Sequence, residues 1–493
     1  MYHSGIRNDD ERIQNFFNKL KKFCEQKTPG LMDDIDDAFL GLLLSKEEFY
    51  EAVKADEDII VRAICGDFVI PEFDRFTDAI QNIYDKVKLN KGGKPADYIP
   101  QLARFDPNYW GISVCTVDGQ RLSIGDTEIP FCLQSTSKAL NYAIALSDRS
   151  TDDVHSHVGR EPSGRSFNAL MLDHHNLPHN PMINAGAIST AALLKTDLAM
   201  ADRFDYVTSV YKRMAGGGFI GFSNATFLSE RNTADRNFAL GYYMQENKVF
   251  PKQAILENTL DLYFQLCSVE VTADSAAVIA ATLANGGVCP INNDSILGGE
   301  AVCNTLSLML SCGMYDYSGQ FAFKVGLPAK SGVSGVVLLV IPNVMGIAAW
   351  SPPLDKCGNS VRGVQFAEEL VARFNFHNYD ALSGTKKMDP RRAEIQNLSS
   401  TIVAMMSGAA YGDLGSLRRL KHKLGAAVMN SSDYDGRTPL HLAASENKLD
   451  VVKFLLDECN VDPKPVDRFG GTPLSDATTA KHTEVADYIK KFM

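Results

Sequence analysis

A serine and a lysine three residues apart, Ser135 and Lys138, precede an apolar run at 139–146 that predicts a buried helix. Positions i and i+3 share one face of a helix, so the lysine amine can reach the serine oxygen. If burial lowers the pKa of that amine, it can accept the serine proton and create a nucleophile. The pair predicts a serine hydrolase that works without a histidine base.

The chain ahead of Ser135 has the pattern of a hairpin. Alternation over 112–117, the turn signal Asp118-Gly119 and a second short strand ending near Pro130 predict strands that lead into the serine. A serine at a strand-to-helix junction exposes its oxygen and leaves helix N-terminal amides to receive an oxyanion. The alternative is a helix N-cap serine beside a solvated lysine. The same spacing recurs at Ser209/Lys212, Ser383/Lys386 and Ser445/Lys448.

A second element favours Ser135 over these other matches. Lys330-Ser331-Gly332 stands ahead of the apolar run 336–341. It is similar to the K-T-G motif that accompanies S-x-x-K in β-lactamases and penicillin-binding proteins, although the S-D-N element of that group is absent from the sequence. Two elements in this order indicate an acylating serine.

Composition limits the classes of partner. The chain has 493 residues, 45% of them hydrophobic, which is ordinary for several globular domains. A formal net charge of −11 argues against nucleic acid or an anionic membrane as partner. The ten cysteines lack ligand spacing, which favours reduced thiols and a reducing compartment. No apolar run approaches the roughly 20 residues of a membrane span, and the first residues carry no secretory or transit pattern.

The first 90 residues predict a helical domain. Phe16, Phe17 and Leu20 fall on one amphipathic face, and Phe76 and Ile80 on another. The acidic run 33–37 lacks the spaced acids, central glycine and final glutamate of a calcium loop. We therefore expect an EF-hand-like bundle without a calcium loop at 1–90, a linker near 88–95 and a catalytic domain of mixed strands and helices at 91–378.

The C-terminal part contains a repeat. Thr438–Ala444 and Gly471–Ala477 align with Thr438 opposite Thr472, a separation of 34 residues, and each follows a turn that contains aspartate. This is an ankyrin signature. Ala409-Ala410 lies one period earlier and predicts a degenerate first repeat. We expect a linker at 379–401 and ankyrin repeats at 402–493, which serve self-assembly or an unknown protein partner rather than catalysis.

The central segments resemble the glutaminase family, in its long, kidney-type, ankyrin-bearing, phosphate-activated animal form. The segments that carry the resemblance are 98–101, 113–120, 131–138, 178–187, 221–226, 235–237, 263–267, 313–316, 326–332 and 350–355. The resemblance implies an α+β catalytic domain of the serine β-lactamase or penicillin-binding type. It also implies hydrolysis of L-glutamine to L-glutamate and ammonia through a serine acyl-enzyme, in glutamine catabolism and glutamate biosynthesis.

The resemblance assigns roles to five catalytic residues. Ser135 is the nucleophile, Lys138 accepts or relays its proton, and Tyr315 passes a proton to the departing ammonia. Tyr98 is a supporting phenol. The backbone amides of Ser135 and Val333 hold the oxyanion. Val333 is expected on a turn formed by Lys330-Ser331-Gly332, where glycine permits close approach.

Glutamine binding needs an acceptor for the α-ammonium and neutral donors for the α-carboxylate. By resemblance Glu230 takes the ammonium, Asn184, Asn237 and Tyr263 take the carboxylate end, and Gln134 stands beside the nucleophile. Each has a plainer alternative as a turn residue, a solvated charge or a core aromatic. The expected substrate contacts are Ser135, Asn184, Glu230, Asn237, Tyr263, Tyr315 and Val333.

The resemblance also implies regulation by a loop and a subunit contact. Phe167, Leu170 and Leu172 match the loop that gates the site, and Phe238 and Tyr243 match the contact helix. This chain has Ala169 and Met171 where vertebrate relatives carry lysine and phenylalanine. A change of charge and ring volume there predicts altered coupling to inorganic phosphate, the expected activator, and altered inhibitor sensitivity.

Further expectations follow from the same resemblance. Homotetramers are expected, with filaments as an extension, and no metal or cofactor is required. The histidines at 173–179, with His155 and His157, are interpreted as loop residues. The location is expected to be intracellular, either mitochondrial or cytosolic. Two other functions stay open on sequence grounds, a β-lactam hydrolase and an ankyrin scaffold with an inactive enzyme domain.

Overall fold

The computed structural model describes residues 4–27, 42–164, 170–383, 387–392 and 394–493. The chain divides into two compact units, Met1–Asn378 and Tyr379–Met493. Among the described residues, no helix combines the length and the apolar character needed to cross a membrane.

The first unit contains sixteen α-helices in its described residues. They are α1 Gln14–Lys27, α2 Lys46–Val53, α3 Glu57–Cys65, α4 Phe73–Lys88, α5 Pro100–Ala103, α6 Ser137–Asp148, α7 Thr151–His155, α8 Asn184–Leu193, α9 Met200–Met214, α10 Asn224–Asn232, α11 Asp235–Glu246, α12 Leu256–Cys267, α13 Ala273–Ala284, α14 Gly299–Cys312, α15 Ser318–Lys324 and α16 Val361–Arg373. Short 3-10 turns occupy Glu11–Ile13, Gln134–Thr136 and Tyr315–Tyr317.

The N-terminal residues are helical, as their periodicity predicts. Phe76 and Ile80 of α4 are fully buried, and the Phe76 ring lies 5.4 Å from the ring of Phe374, just after α16. The acidic run 33–37 lies outside the described residues. The predicted linker near 88–95 is held against the catalytic core, since Lys94 forms a bridge with Leu354.

A five-stranded antiparallel sheet forms the centre of this unit, in the order β2-β1-β8-β7-β6. Its strands are β1 Gly111–Thr116, β2 Arg121–Gly125, β6 Ala329–Gly332, β7 Val336–Ile341 and β8 Met345–Trp350. Leu338 belongs to the core cluster that includes α13, whereas Val337 lies against Gly363 of α16. Because helices cover both faces of β7, its sequence is a continuous apolar run.

The chain reaches Ser135 through a second, three-stranded sheet rather than directly from the predicted hairpin. This sheet has the order β3-β5-β4, with β3 at Phe131–Cys132, β4 at Ile220–Phe222 and β5 at Val269–Val271. The predicted hairpin exists, but β2 ends at Gly125 rather than near Pro130. Gly125 has φ +80°, and the Trp110 carbonyl oxygen lies 2.3 Å from the position of a Cβ there. The chain turns away at this glycine and enters the second sheet before it reaches the serine.

Helical repeats make up the second unit. Its helices are α17 Asp380–Ser383, α18 Glu394–Tyr411, α19 Leu414–Leu424, α20 Pro439–Ser445, α21 Leu449–Lys453, α22 Pro473–Thr479 and α23 Thr483–Lys490, with a 3-10 turn at Ala426–Asn430 and a π turn at Phe454–Glu458. The segment expected to be a tether, up to residue 401, is partly helical because α18 begins at Glu394.

The repeated Thr-Pro pairs explain where two of these helices begin. Thr438 and Thr472 are N-caps in capping boxes, and a proline follows each at the first helical position. His441 receives a hydrogen bond from the Thr438 amide at 3.1 Å. Its other ring nitrogen donates to the carbonyl of Gly471, 3.3 Å away in the next repeat. One side chain thus fixes a helix start and joins two repeats.

Candidate active site

Ser135 lies in a short 3-10 turn, Gln134–Thr136, directly ahead of α6. The turn begins with Gln134 at φ +49°, a left-handed conformation that is unusual for a residue with a side chain. Leu133 donates its amide hydrogen to Val269 of β5 at 2.8 Å. On the other side, a Cβ on Gly332 of β6 would lie 2.8 Å from the Leu133 carbonyl oxygen. The serine is therefore held between the two sheets.

Ser135 and Lys138 are in direct contact. Lys138 Nζ lies 2.6 Å from Ser135 Oγ and 2.9 Å from Asn184 Oδ1. Lys138 is only 2% exposed, and burial lowers its pKa to about 8, while nearby Cys267 and Glu230 act in the opposite direction. A substantial fraction of the amine is neutral near pH 8 and can accept a proton.

The other S-x-x-K pairs lack this environment. Ser209 and Lys212 are both exposed on α9, and the Ser209 hydroxyl donates to the Tyr206 carbonyl. Ser445 donates to the carbonyl of Leu442. The pair at 383 and 386 lies outside the described side chains. Among the described pairs, burial therefore distinguishes Ser135 and Lys138.

Asn184, the first residue of α8, connects the lysine to α11. Its side-chain oxygen accepts the hydrogen bond from Lys138, and its Nδ2 donates to Asn237 Oδ1 at 3.2 Å. These bonds fix the orientation of the Asn184 amide. The structure thus places Asn184 against Lys138 as well as against Asn237, its predicted partner in substrate binding.

Glu230 on α10 is held by two neutral donors. Tyr98 Oη lies 2.6 Å and Gln134 Nε2 2.9 Å from Glu230 Oε1. Burial raises the pKa of this carboxyl, whereas the two hydrogen bonds and the charge of Lys138 act to lower it. The Tyr98 side chain is 48% exposed, so it borders the outer part of the site. A carboxylate in this position can accept hydrogen bonds from a ligand ammonium.

Tyr315 closes the inner side of the site. It is 8% exposed and has φ +53° at the start of its 3-10 turn. Burial raises the pKa of its phenol, and a hydrogen bond with the Ser135 side chain opposes that shift. Tyr263 on α12 is also buried, with its ring centroid 5.8 Å from Lys138 Nζ.

Val333 follows a strand rather than a glycine turn. Lys330-Ser331-Gly332 pairs with β7 as part of β6, and the turn comes after it, where Gly335 donates its amide hydrogen to the Gly332 carbonyl. The contact between Gly332 and Leu133 brings this end of β6 beside the Ser135 turn. The segment predicted as a turn ahead of Val333 thus lies near Ser135, but it is the end of a strand.

Cys267 is a buried thiol, as the sequence predicted for the cysteines, but the sequence did not place it beside Ser135 and Lys138. It is buried on α12, four residues after Tyr263, and its Sγ lies 4.0 Å from Ser137 Oγ. Burial raises the pKa of the thiol to about 11, so it remains protonated beside the dyad. The i, i+4 spacing from Tyr263 was the available signal, because such residues share a helix face.

The residues expected to regulate the site are only partly described. Leu172 is buried in a cluster against which Phe238 and Tyr243 pack. Leu170 and Met171 are exposed. Phe167 and Ala169 lie outside the described residues.

The histidines and cysteines of the described residues form neither a metal site nor a disulfide. No group of three or more His, Cys, Asp or Glu side chains there has a metal-binding arrangement. His155, at the end of α7, instead contacts Tyr142 Oη and the Val158 carbonyl, each at 2.9 Å. All ten cysteines are free thiols.

Comparison with known proteins identifies the class of both units. The Glutaminase family profile matches residues 93–379, the profile for ankyrin repeats (3 copies) matches 405–491, and an EF-hand domain profile matches 1–71. The solved native form of Mglu covers 62% of this chain and 74% of its own, at 36% identity and a TM-score of 0.59. The catalytic fold is the β-lactamase-like glutaminase fold, as the resemblance implied.

Sequence relatives extend the match over almost the whole chain. The rat (Rattus norvegicus) protein called Glutaminase liver isoform, mitochondrial, is 51% identical over 490 residues, which are 99% of this chain and 79% of the rat protein. A Glutaminase from Nostoc sp. is 44% identical over 305 residues, 62% of this chain and 90% of its own length. The chain belongs to the glutaminase family, in its ankyrin-bearing animal form.

Proposed function

We propose that this enzyme hydrolyses the side-chain amide of L-glutamine to L-glutamate and ammonia through a γ-glutamyl ester on Ser135. The observation that carries the proposal is the 2.6 Å contact between Ser135 Oγ and a buried lysine whose pKa is lowered to about 8. Membership in the glutaminase family supports the substrate.

The dyad suggests a two-step reaction. Ser135 Oγ attacks the Cδ carbonyl of glutamine while its proton passes to Lys138. The amides of Ser135 and Val333 stabilise the oxyanion. When the C–N bond breaks, the leaving nitrogen receives a proton from Lys138 through the Tyr315 phenol, and ammonia departs. Water then attacks the ester and loses a proton to Lys138. The Cδ–Oγ bond breaks, glutamate is released, and Lys138 returns the proton to Ser135 Oγ.

The polar side chains around the dyad suggest how glutamine is oriented. Glu230 accepts hydrogen bonds from the α-ammonium. Tyr98 and Gln134 both donate to its Oε1, and these bonds hold the carboxylate in place beside the substrate. Asn237 and Tyr263, with the Nδ2 of Asn184, face the α-carboxylate. Asn184 would exchange its bond to Asn237 for one to the substrate while its oxygen keeps Lys138 in place.

The test is a glutamate-release assay on Ser135→Ala, measured with and without inorganic phosphate. Removal of the nucleophile should lower kcat by at least about 10³-fold, with little change in the unfolding midpoint. Ser209→Ala, at the exposed S-x-x-K pair, is the matched control and should retain full activity. Equal activity of Ser135→Ala and wild type would exclude the acyl-enzyme mechanism.

We also propose, from the family resemblance, that inorganic phosphate activates the enzyme, that it needs no metal and that it assembles as a homotetramer, with filaments as an extension. The shared cluster of Leu172, Phe238 and Tyr243 supports a link between the gating loop and a subunit contact on α11. The ankyrin repeats are proposed to bind a protein partner or a second copy. An intracellular location, mitochondrial or cytosolic, is consistent with the name of the rat relative and the free thiols.

A further inference from the structure

The proposed mechanism gives no role to Lys330, a buried titratable group on β6. Lys330 is fully buried in β6, and no carboxylate among the described residues pairs with it. Its Nζ donates instead to two backbone carbonyls, those of Gly313 at 3.2 Å and Ser331 at 2.9 Å. Burial of an amine without a counter-ion is costly, so its position calls for a compensating function.

Gly313 lies two residues ahead of Tyr315, which begins a strained 3-10 turn. Tyr315 has φ +53°, which a tyrosine adopts only when its surroundings hold it there. Side chains fix the backbone on each side. Ser318 Oγ accepts from the Met314 amide at 2.9 Å and donates to the Tyr315 carbonyl at 2.7 Å, and Asn359 Nδ2 donates to the Met314 carbonyl at 3.2 Å.

Lys330 differs from these two residues because it also reaches the ring. Its Nζ lies 4.8 Å from the centroid of the Tyr315 ring while it holds the Gly313 carbonyl two residues earlier. Gly313 has no space for a side chain, since a Cβ there would lie 1.7 Å from the Ala329 carbonyl oxygen. The backbone before Tyr315 is thus pressed against β6, and Lys330 connects that strand to the aromatic face.

We propose that Lys330 is a positioning residue that holds the Tyr315 ring toward Ser135. The proposal rests on the proposed function, in which Tyr315 relays a proton to the leaving nitrogen. Lys330 touches neither substrate nor reacting atoms in this arrangement. It acts through Tyr315, by fixing the turn through Gly313 and the ring through its amine.

Titratable neighbours affect how Lys330 responds to pH. Burial lowers its pKa well below the usual value for lysine, and Lys138 lowers it further. Cys312 and Cys267 are the other titratable groups that face it, and both have raised pKa values because of burial. The interaction therefore depends on the amine hydrogens and on contact with the ring, whether or not the amine carries its charge.

A double-mutant cycle between Lys330→Met and Tyr315→Phe tests the proposal. Lys330→Met alone should lower kcat by roughly 10²-fold, the usual scale of a misplaced proton donor, and leave KM for glutamine within about threefold. In the Tyr315→Phe background the same substitution should lower kcat by less than about threefold, because the phenol it positions is already gone. Lys330→Gln, which keeps two N–H donors, goes through the same cycle and replaces Lys330→Met if that variant does not fold.

Lys324→Met provides the matched control. Lys324 is an exposed lysine whose Nζ lies 5.7 Å from the Tyr317 ring, and its loss should leave kcat unchanged. An equal loss of kcat from the Lys330 substitution in both backgrounds, or a rise in KM alone, would overturn the positioning role. Full activity of Tyr315→Phe would instead remove Tyr315 from the proposed mechanism, and wild type inactive on glutamine would remove the function itself.

Discussion

The catalytic unit and the ankyrin unit pair their polar side chains in different ways. In the repeats, partners lie close in sequence, as in the capping boxes of Thr438 with His441 and of Thr472 with Ser475. In the catalytic unit, Gln134 and Tyr98 reach Glu230 across 96 and 132 residues of chain. The repeat stabilises itself through local rules, whereas the catalytic site exists only when distant segments are packed together.

Backbone strain follows the same division. Gln134 and Tyr315 adopt positive φ inside the site, next to the nucleophile or bonded to it. In the second unit the positive φ values away from glycine belong to Asn447, Asn460 and Lys481, which lie in the turns between helices. Asparagine tolerates this conformation well, but tyrosine and glutamine do not. The catalytic unit also has positive φ values at asparagines and lysines outside the site, so what sets it apart is that Gln134 and Tyr315 carry such strain where the chemistry is proposed.

Among the tests of this contrast, we expect the largest effect in the pH dependence of kcat/KM, which reports on the catalytic unit. Lys138 must be neutral to accept a proton, and burial lowers its pKa to about 8. The value of kcat/KM should therefore rise about tenfold per pH unit between pH 6 and pH 8 and level off above that range. Steady-state rates in constant ionic strength buffers provide the measurement.

Lys212→Met is the control for that profile. It removes the exposed lysine of another S-x-x-K pair and should leave the curve in place. A flat profile from pH 6 to pH 8 would show that a buried lysine is not the base, and would remove the main reason to assign Ser135 its role.

Local signals explain what the sequence predicted well. Helix α6, strand β7 and the Thr-Pro helix starts each depend on residues within one element, and the structure has all three. The predicted end of the second strand, near Pro130, was wrong. The strand ends at Gly125 because that glycine packs against the Trp110 carbonyl, a tertiary contact that the local sequence does not show. The bond from Lys138 to Asn184 spans 46 residues, so neither pattern nor spacing could reveal it.

A second test addresses the long-range contacts of Glu230. Glu230→Gln removes the charge proposed to hold the α-ammonium of glutamine but keeps the shape of the side chain. We expect KM to rise by about 10 to 100-fold, the scale of a hydrogen bond to a charged group, with a smaller change in kcat. Initial rates over a wide range of glutamine concentrations separate the two constants.

Glu270→Gln is the matched control, because Glu270 is also a partly buried acid whose pKa is raised by burial. It lies on β5 and is not bonded to Tyr98 or Gln134. Equal KM values for Glu230→Gln and wild type would place the ammonium elsewhere in the site.

The smallest effect is expected in the ankyrin unit, at His441. His441→Ala removes the acceptor for the Thr438 amide and the donor to the Gly471 carbonyl, and leaves buried polar groups unpaired. The free energy of unfolding of the repeats should fall by about 1 to 3 kcal/mol. Because both partners of this histidine lie within the repeats, kcat/KM for glutamine should stay within a factor of about two.

Denaturant unfolding of the full chain, followed together with activity, measures both quantities, and His422→Ala on the exposed side of α19 is the control. A fall in kcat/KM at denaturant concentrations where only the repeats unfold would contradict the independence of the two units. The local stability of the repeats would then also serve catalysis, and the contrast between locally and distantly built regions would no longer separate structure from function.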